Sequence, residues 1–434
     1  MSGTEGLPPR PETAHGRSLS YLPADRSFAL LTDHDARRTV RGTFGELSEQ
    51  HLRAARNWQP SASAPWTLDL GEEVEGYGTF RFPYGPFSMG VPEAGTFELV
   101  TYGERLLEVL PGFGQKPRGI LASLPGLRVE DAALRVERMV GPYSTAHVAA
   151  FLFAAEAAAG TSLSAEEAQV RALGQELQRV YNHLHVLARL AEAASQNVGQ
   201  AQTHALAEEV LRLAGRHFGH RWLFGSLLPG GPRRRLDRVQ RTELDRSLAQ
   251  LGSRFEALWE LFQGSRTFVD RLQGTGRVGR SQAISWGAVG PVLRACGVPW
   301  DDRLRDPLPP YHDLFLPLAH QSEGDALART VVRVEEVRSS LLLLEQLLDR
   351  WPNGGTFDPL PPVSPRRGLV RTEAPSGDLV WDVLTEDGRV RQAAFRSASQ
   401  ANWPLFALAC RQSVFTDFHF TLESFGLSFA ETDG

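Results

Sequence analysis

Apolar residues recur at helical spacing from about residue 128 to 351, and this stretch predicts a helical bundle. Ser164-Ala-Glu-Glu167 carries a capping signature, with Ser164 as cap and Glu167 three residues on. The helix it opens is expected to run to about Ala194. Others are expected at His204–Phe218, Glu243–Arg271 and Asp325–Trp351, separated by Gly-rich breaks such as Leu228-Pro-Gly-Gly-Pro232. Before the bundle, from Gly76, apolar and polar positions alternate through Thr79–Phe82 and Thr96–Tyr102, between Gly and Pro punctuation, which predicts strands and hairpin turns. After it, Leu379–Leu384 and Val390–Phe395 flank Glu386-Asp-Gly388, a hairpin signal. A last helix is expected near Trp403–Arg411, followed by a tail.

These patterns give an α+β fold, with a mainly α-helical bundle core and small β sections near both ends. Residues 1–20 are rich in Pro, Gly and Ser and read as a disordered tail. Residues 21–75 form an extension of unclear role, with a helix around Phe44–Ala55. One domain fills 76–434, divided into a β section (76–127), the bundle (128–351), and a β section with the C-terminal tail (352–434).

Of 434 residues, 42% are apolar and 22% charged, which suits a globular core, and the net charge of −5 gives no reason to expect nucleic acid. The run Arg233-Arg-Arg235 reads as a solvated loop or subunit contact. Two cysteines, Cys296 and Cys410, rule out a disulfide framework and an iron–sulfur cluster held by this chain alone. No signal sequence or apolar run long enough to cross a bilayer is visible, so a cytoplasmic chain is expected, able to sit on a membrane only through partners.

Glu176, Arg179 and His183 share a helical face. Taken alone they read as a surface with ordinary ion pairs, with a buried polar network as the alternative. Arg329, Arg333 and Glu336 stack likewise and read as a ladder on an exposed or interface helix. His183 and His185 point to different faces. His217 and His220 have chelating spacing but no third ligand. No phosphate-cradling, dinucleotide or serine-nucleophile motif occurs.

The order of several short motifs is more specific. Gly85-Pro-Phe-Ser-Met-Gly90, Lys116-Pro-Arg-Gly-Ile120, Glu137-Arg138, Glu176-Leu-Gln-Arg179-Val-Tyr-Asn182-His183-Leu, Gly290-Pro-Val-Leu-Arg294, Gly324-Asp325, Arg329, Arg333, Glu336 and Glu373-Ala-Pro-Ser-Gly377-Asp378 follow one another along the chain. Together they resemble the family joining nickel–iron hydrogenase large subunits to the 49-kDa protein of respiratory complex I. Within it, the chain is most similar to large subunits of formate-hydrogenlyase-like complexes. The resemblance covers about residues 78–434.

Hydrogenases of this family hold the metals with Arg-x-Cys-Gly-x-Cys and a C-terminal Asp-Pro-Cys-x-x-Cys. Aligned on those motifs, this chain has Val140 and Tyr143 after Arg138, then Ser428 and Glu431 in the tail, with Ser376 where hydrogenases have an arginine. Thiolates are the ligands such a centre needs, so the resemblance implies a metal-free branch. In complex I the remodelled pocket takes a quinone; here Ser88 stands where the 49-kDa protein has a histidine. A quinone-like acceptor would then meet Tyr143 and His147 as hydrogen-bond donors, Glu431 and Asp433 as proton carriers, and Ser88, Arg138 and Ser428 as binding residues. No cofactor is expected to be held by this chain itself. The implied partners are a small subunit carrying a [4Fe–4S] cluster and antiporter-like membrane subunits. The alternative is a non-catalytic structural or coupling subunit with a collapsed cleft. The resemblance brings both β regions to that cleft, placing Tyr143 near Ser428 and Glu431.

Overall fold

A computed structural model describes residues 76–86, 93–115, 117–161, 163–352, 366–411 and 413–433, together with three strands further upstream. Those strands are β1 (Leu19–Leu22), β2 (Ser27–Leu31) and β3 (Thr39–Thr43), an antiparallel meander. Leu19 and Ser20 therefore lie in a strand, at the edge of the expected disordered tail. The helix expected at Phe44–Ala55 falls outside the described residues.

A second antiparallel sheet is built from β4 (Phe80–Tyr84), β5 (Thr96–Tyr102) and β6 (Arg105–Gly112). Alternation on β5 sends Phe97 and Leu99 into a core. Short helices α1 (Ile120–Ser123) and α2 (Val129–Val136) lead to α3 (Ser144–Ala159). Helix α3 is apolar nearly all round because it is covered on nearly every side. Helix α4 (Ala165–Ala193) begins at the Ser164–Glu167 capping box, both halves of which form.

Helix α5 (Asn197–Phe218) starts seven residues before the expected position. Its first turn is seated by Gly199, where a Cβ would come within 2.7 Å of the Phe262 ring. A two-residue hairpin, β7 (Leu227–Leu228) with β8 (Gly231–Pro232), precedes α6 (Arg238–Gly264). The single helix expected to Arg271 is broken at Ser265, whose hydroxyl caps α7 (Arg266–Leu272). Three short helices follow: α8 (Arg280–Ser285), α9 (Gly290–Ala295) and α10 (Asp302–Arg305). Helix α11 (Ala326–Asp349) is capped by the Asp325 carboxylate, which accepts from Ala328 N at 2.8 Å.

The third sheet, β9 (Arg366–Ala374), β10 (Gly377–Glu386) and β11 (Arg389–Arg396), packs on α3. The β10–β11 turn is the expected one. Asp387 and Gly388 have φ of 50° and 71°, the positive pair a two-residue hairpin favours. The last helix forms five residues earlier than its pattern suggested, as α12 (Ala398–Ala409), because Ser397 and Gln400 make a capping box. The tail is helical too, as α13 (Phe418–Phe425) and α14 (Phe429–Asp433). Phe97, Trp403, Phe406, Phe418, Phe425 and Phe429 join the first β section to this tail in one aromatic core.

Candidate functional site

The C-terminal helix α14 delivers Glu431 to the residues that open α3. Ser428 stands at its N-terminus, and its hydroxyl accepts from Glu431 N at 3.2 Å. That fixes the backbone and aims the Glu431 side chain inward. Tyr143, in the 3-10 turn Gly141–Tyr143, donates its hydroxyl to Glu431 Oε2 at 2.9 Å. His147, one turn into α3, places Nε2 at 3.1 Å from Glu431 Oε1, and Ser399 N donates to Oε2 at 3.3 Å. A carboxylate only accepts, so this arrangement puts the His147 proton on Nε2. Glu431 and His147 are 0% exposed and Tyr143 is 2% exposed. Burial first, then the charges of Glu431 and Glu93, hold the Tyr143 phenol well above its usual pKa range.

Two residues that were not among the candidate site residues complete the cluster. Glu93 accepts from the Ser428 hydroxyl at 2.9 Å and from Ala430 N at 3.0 Å. The Ser399 hydroxyl accepts from Ser428 N at 3.0 Å. Both lie within family-like motifs, but nothing local shows their role here, since their partners lie 335 and 29 residues away. His147 sits among Tyr143, Trp381 and Phe395. Its Nδ1 is buried and has no hydrogen-bond partner among the described residues, as is the case for Trp381 Nε1 and the Ser376 hydroxyl.

Of the seven residues singled out from the sequence, four come together: Tyr143, His147, Ser428 and Glu431. Arg138 does not join them. Its half-exposed guanidinium pairs with Glu137, donates to the Leu134 carbonyl and lies 4.8 Å from the centre of the Phe224 ring. Ser88 is outside the described residues. Asp433 belongs to the backbone of α14, and its side chain lies outside the described part of the chain.

Beneath the cluster, the polar faces read as surface ladders are buried, which corrects that expectation. Arg179 and Arg303 share Glu176; Arg303 reaches Asp301 at 2.7 Å; Arg294 contacts Glu336 at 2.7 Å and Glu373 at 2.8 Å. Arg371 pairs with Asp302 and Asp378, and Arg396 with Asp378 at 2.9 Å. His183 links Glu336 at 2.8 Å to Arg333 at 3.3 Å. Five arginines (179, 294, 303, 371, 396) thus balance six carboxylates (176, 301, 302, 336, 373, 378), with Arg333 reached through His183; all are buried, and burial pushes Glu373 up to about 7 against the pull of Arg294. Such groups stay charged indoors only when paired and hydrogen-bonded. Burial pushes His183 down to about 4, against the pull of Glu336, so it is neutral. Burial alone would raise Glu336, but Arg294 and then His183 hold it well below the usual carboxylate range.

Arg329 stands apart from this balance. Its Nη1 donates to the Gly276 and Gly324 carbonyls at 3.0 and 2.8 Å, and its Nε to Ser424 Oγ at 3.0 Å. Its guanidinium lies 4.4 Å from the centre of the Phe425 ring. With Arg333, which donates to the Phe425 carbonyl at 2.8 Å, it pins the last turn of α13 just before the site segment.

His217 is buried and His220 exposed, with His220 Nδ1 accepting from Trp222 N, so the two do not form a chelating pair. Among the described residues, no group of three His, Cys, Asp or Glu side chains is arranged to hold a metal ion. Cys296 and Cys410 are buried in the aromatic core.

The site thus lies in a helical bundle flanked by two small sheets, with a C-terminal helix buried against the start of α3. The family described as the 49-kDa subunit of respiratory-chain NADH dehydrogenase matches residues 201–367. The carbon monoxide-induced hydrogenase of Rhodospirillum rubrum is 26% identical over 330 residues, covering 75% of this chain and 91% of that protein. An NADH-quinone oxidoreductase subunit of Roseiflexus sp. (strain RS-1) is 27% identical over 361 residues, covering 78% and 95%. A chain of the membrane-bound sulfane sulfur reductase, an archaeal respiratory membrane complex, shares the fold with a TM-score of 0.78 and 24% identity, covering 82% of this chain and 99% of that one. The chain is thus similar both to hydrogenase large subunits and to 49-kDa-type proteins of NADH dehydrogenase. No helix among the described residues is long and apolar enough to cross a membrane.

Proposed function

We propose that this chain is a large-subunit-type component of a membrane-associated oxidoreductase complex, that it holds no nickel–iron centre, and that it acts as a structural and coupling subunit around a filled cleft. The observation behind this reading is the buried Tyr143–Glu431–His147 cluster, which stands where the family's ligand motifs converge. Val140, Tyr143, Ser428 and Glu431 offer no thiolate, and three of the four use their polar groups on one another or on Ser399 and Glu93. A soft-metal centre does not fit that donor set. The electron-carrying partner would be a small subunit with a [4Fe–4S] cluster. The chain would sit on the cytoplasmic face of the membrane through antiporter-like subunits.

The test is to purify the complex with its neighbours and measure nickel, iron and bound quinone per chain. Cluster iron without nickel is the expected result. Stoichiometric nickel overturns the reading.

A second reading is favoured by the unpartnered His147 Nδ1 and Ser376 hydroxyl, spare hydrogen-bonding capacity of the kind a bound headgroup would use. In it, the cleft opens to a quinone-like acceptor, with Tyr143 and His147 donating to the reduced headgroup and Glu431 and Asp433 carrying protons. Retained quinone, with acceptor reduction that falls at least tenfold in Tyr143→Phe, would favour it over the structural role.

A further inference from the structure

The carboxylate of Glu431 is held the way a protein holds a bound anion. Three donors from two separate places converge on its two oxygens: the Tyr143 hydroxyl at 2.9 Å and His147 Nε2 at 3.1 Å from the start of α3, and the Ser399 backbone N–H at 3.3 Å from the start of α12. Ser399 N is one of the unsatisfied amides in the first turn of the twelve-residue α12, so the positive end of that helix also faces the carboxylate. No arginine or lysine pairs with Glu431; His147 is the sole potential cation in contact with it among the described residues. The cradle is therefore built from neutral or weakly basic donors. It is also built from segments that do not depend on the glutamate for their own shape. Tyr143 and His147 belong to the start of α3, which packs on the third sheet, and Ser399 follows its own capping box at Ser397 and Gln400.

Glu431 itself enters from elsewhere, on the five-residue α14. That helix is tied down by a second carboxylate, Glu93, which takes Ser428 Oγ and Ala430 N and leaves the Glu431 side chain free to reach the cradle.

We infer that the Tyr143–His147–Ser399 cradle is a binding site for a small carboxylate, and that Glu431 is its internal ligand, occupying the site from the tail. Charge-assisted hydrogen bonds from three converging donors suit one carboxylate. The inference rests on the reading that side chains, not a metal, fill this position.

The test is chemical rescue in the full chain. Glu431→Ala removes the internal ligand and leaves a space of about its size, and sodium acetate and sodium formate are the probes, with sodium chloride at equal ionic strength as control. The variant is expected to melt below the wild type. Acetate or formate, at roughly ten times its dissociation constant, is expected to raise the melting temperature by about 2 °C over chloride. The gain is expected to vanish in Glu431→Ala/Tyr143→Phe and in the wild type, whose site is occupied. Equal melting temperatures in acetate, formate and chloride overturn the inference, as does an equal gain in the wild type. If Glu431→Ala does not fold unaided, the yield of folded chain on refolding in acetate against chloride becomes the readout, and equal yields overturn the inference. Nickel in the wild-type protein would instead defeat the underlying reading, so the two failures are separable.

Discussion

Replacing Arg294 with methionine removes the most connected cation of the buried network. Its guanidinium is fully buried and serves Glu336, Glu373, Asp301 and the Trp300 carbonyl. Methionine fills much of the volume, so the loss is electrostatic rather than a cavity. Breaking one side of a buried ion pair costs about 3–5 kcal/mol, because the abandoned carboxylates stay out of water. Here two carboxylates lose their nearest cation, and the Trp300 carbonyl loses a donor worth about 1 kcal/mol. The expected loss is therefore about 4–6 kcal/mol, a fall in melting temperature of roughly 5 °C for a chain of this length. Arg338→Met is the control. Arg338 makes an equally short pair with Glu256 at 2.6 Å, but both side chains are nearly half exposed. Exposed pairs contribute about 0–1 kcal/mol, so its melting temperature should scarcely move. Thermal denaturation of both variants, followed by near-ultraviolet circular dichroism, provides the comparison. Equal shifts in the two would mean that water reaches Arg294 and that the network is not the interior framework described above.

Tyr143→Phe removes one of three donors to Glu431 and should cost about 1.5–3 kcal/mol, read from urea unfolding; an unchanged midpoint would mean that the phenol does not serve the carboxylate. His183 makes stability depend on pH. Its pKa is about 4 in the fold against 6.5 as the ordinary value, so its contribution is complete above about pH 6.5 and is lost as pH falls toward 4. The loss is on the order of 3 kcal/mol, and His183→Gln should flatten that part of the stability–pH curve. Gly368→Ala should prevent normal folding or cost more than about 3 kcal/mol, since the new methyl would stand 1.9 Å from the Ala154 carbonyl oxygen; soluble yield and melting temperature report it.

Local signals in the sequence were sufficient where the chain answers itself. The Ser164 capping box, the Asp387-Gly388 turn and the alternation on β5 involve neighbours within a few residues, and the structure follows each. The polar faces of α4 and α11 were misread because their partners are remote. Glu176 meets Arg303 127 residues on, and His183 meets Glu336 153 residues on. A charged helix face looks the same in sequence whether it meets water or countercharge. The tail shows the same divergence within four residues. Ser428-Phe-Ala-Glu431 is spelled as a capping box, and the first half forms, with the serine accepting from Glu431 N. The second half does not. The Ser428 amide is taken by Ser399, which leaves the Glu431 side chain for Tyr143. Strand β9 and the helices α13 and α14 lie beside Gly, Pro and aromatic residues that mask their periodicity.

Helix α14 follows all of its partners in chain order. Glu93, the Tyr143–His147 turn and Ser399 are all synthesised before Glu431 is added. Until then the aromatic core lacks Phe429, and a notch lined by a phenol, an imidazole and the amide end of α12 stands open to water. A chain cut before Phe429 would lose the aromatic contacts of Phe429 with Phe97, Phe113 and Trp403 and would leave that notch exposed.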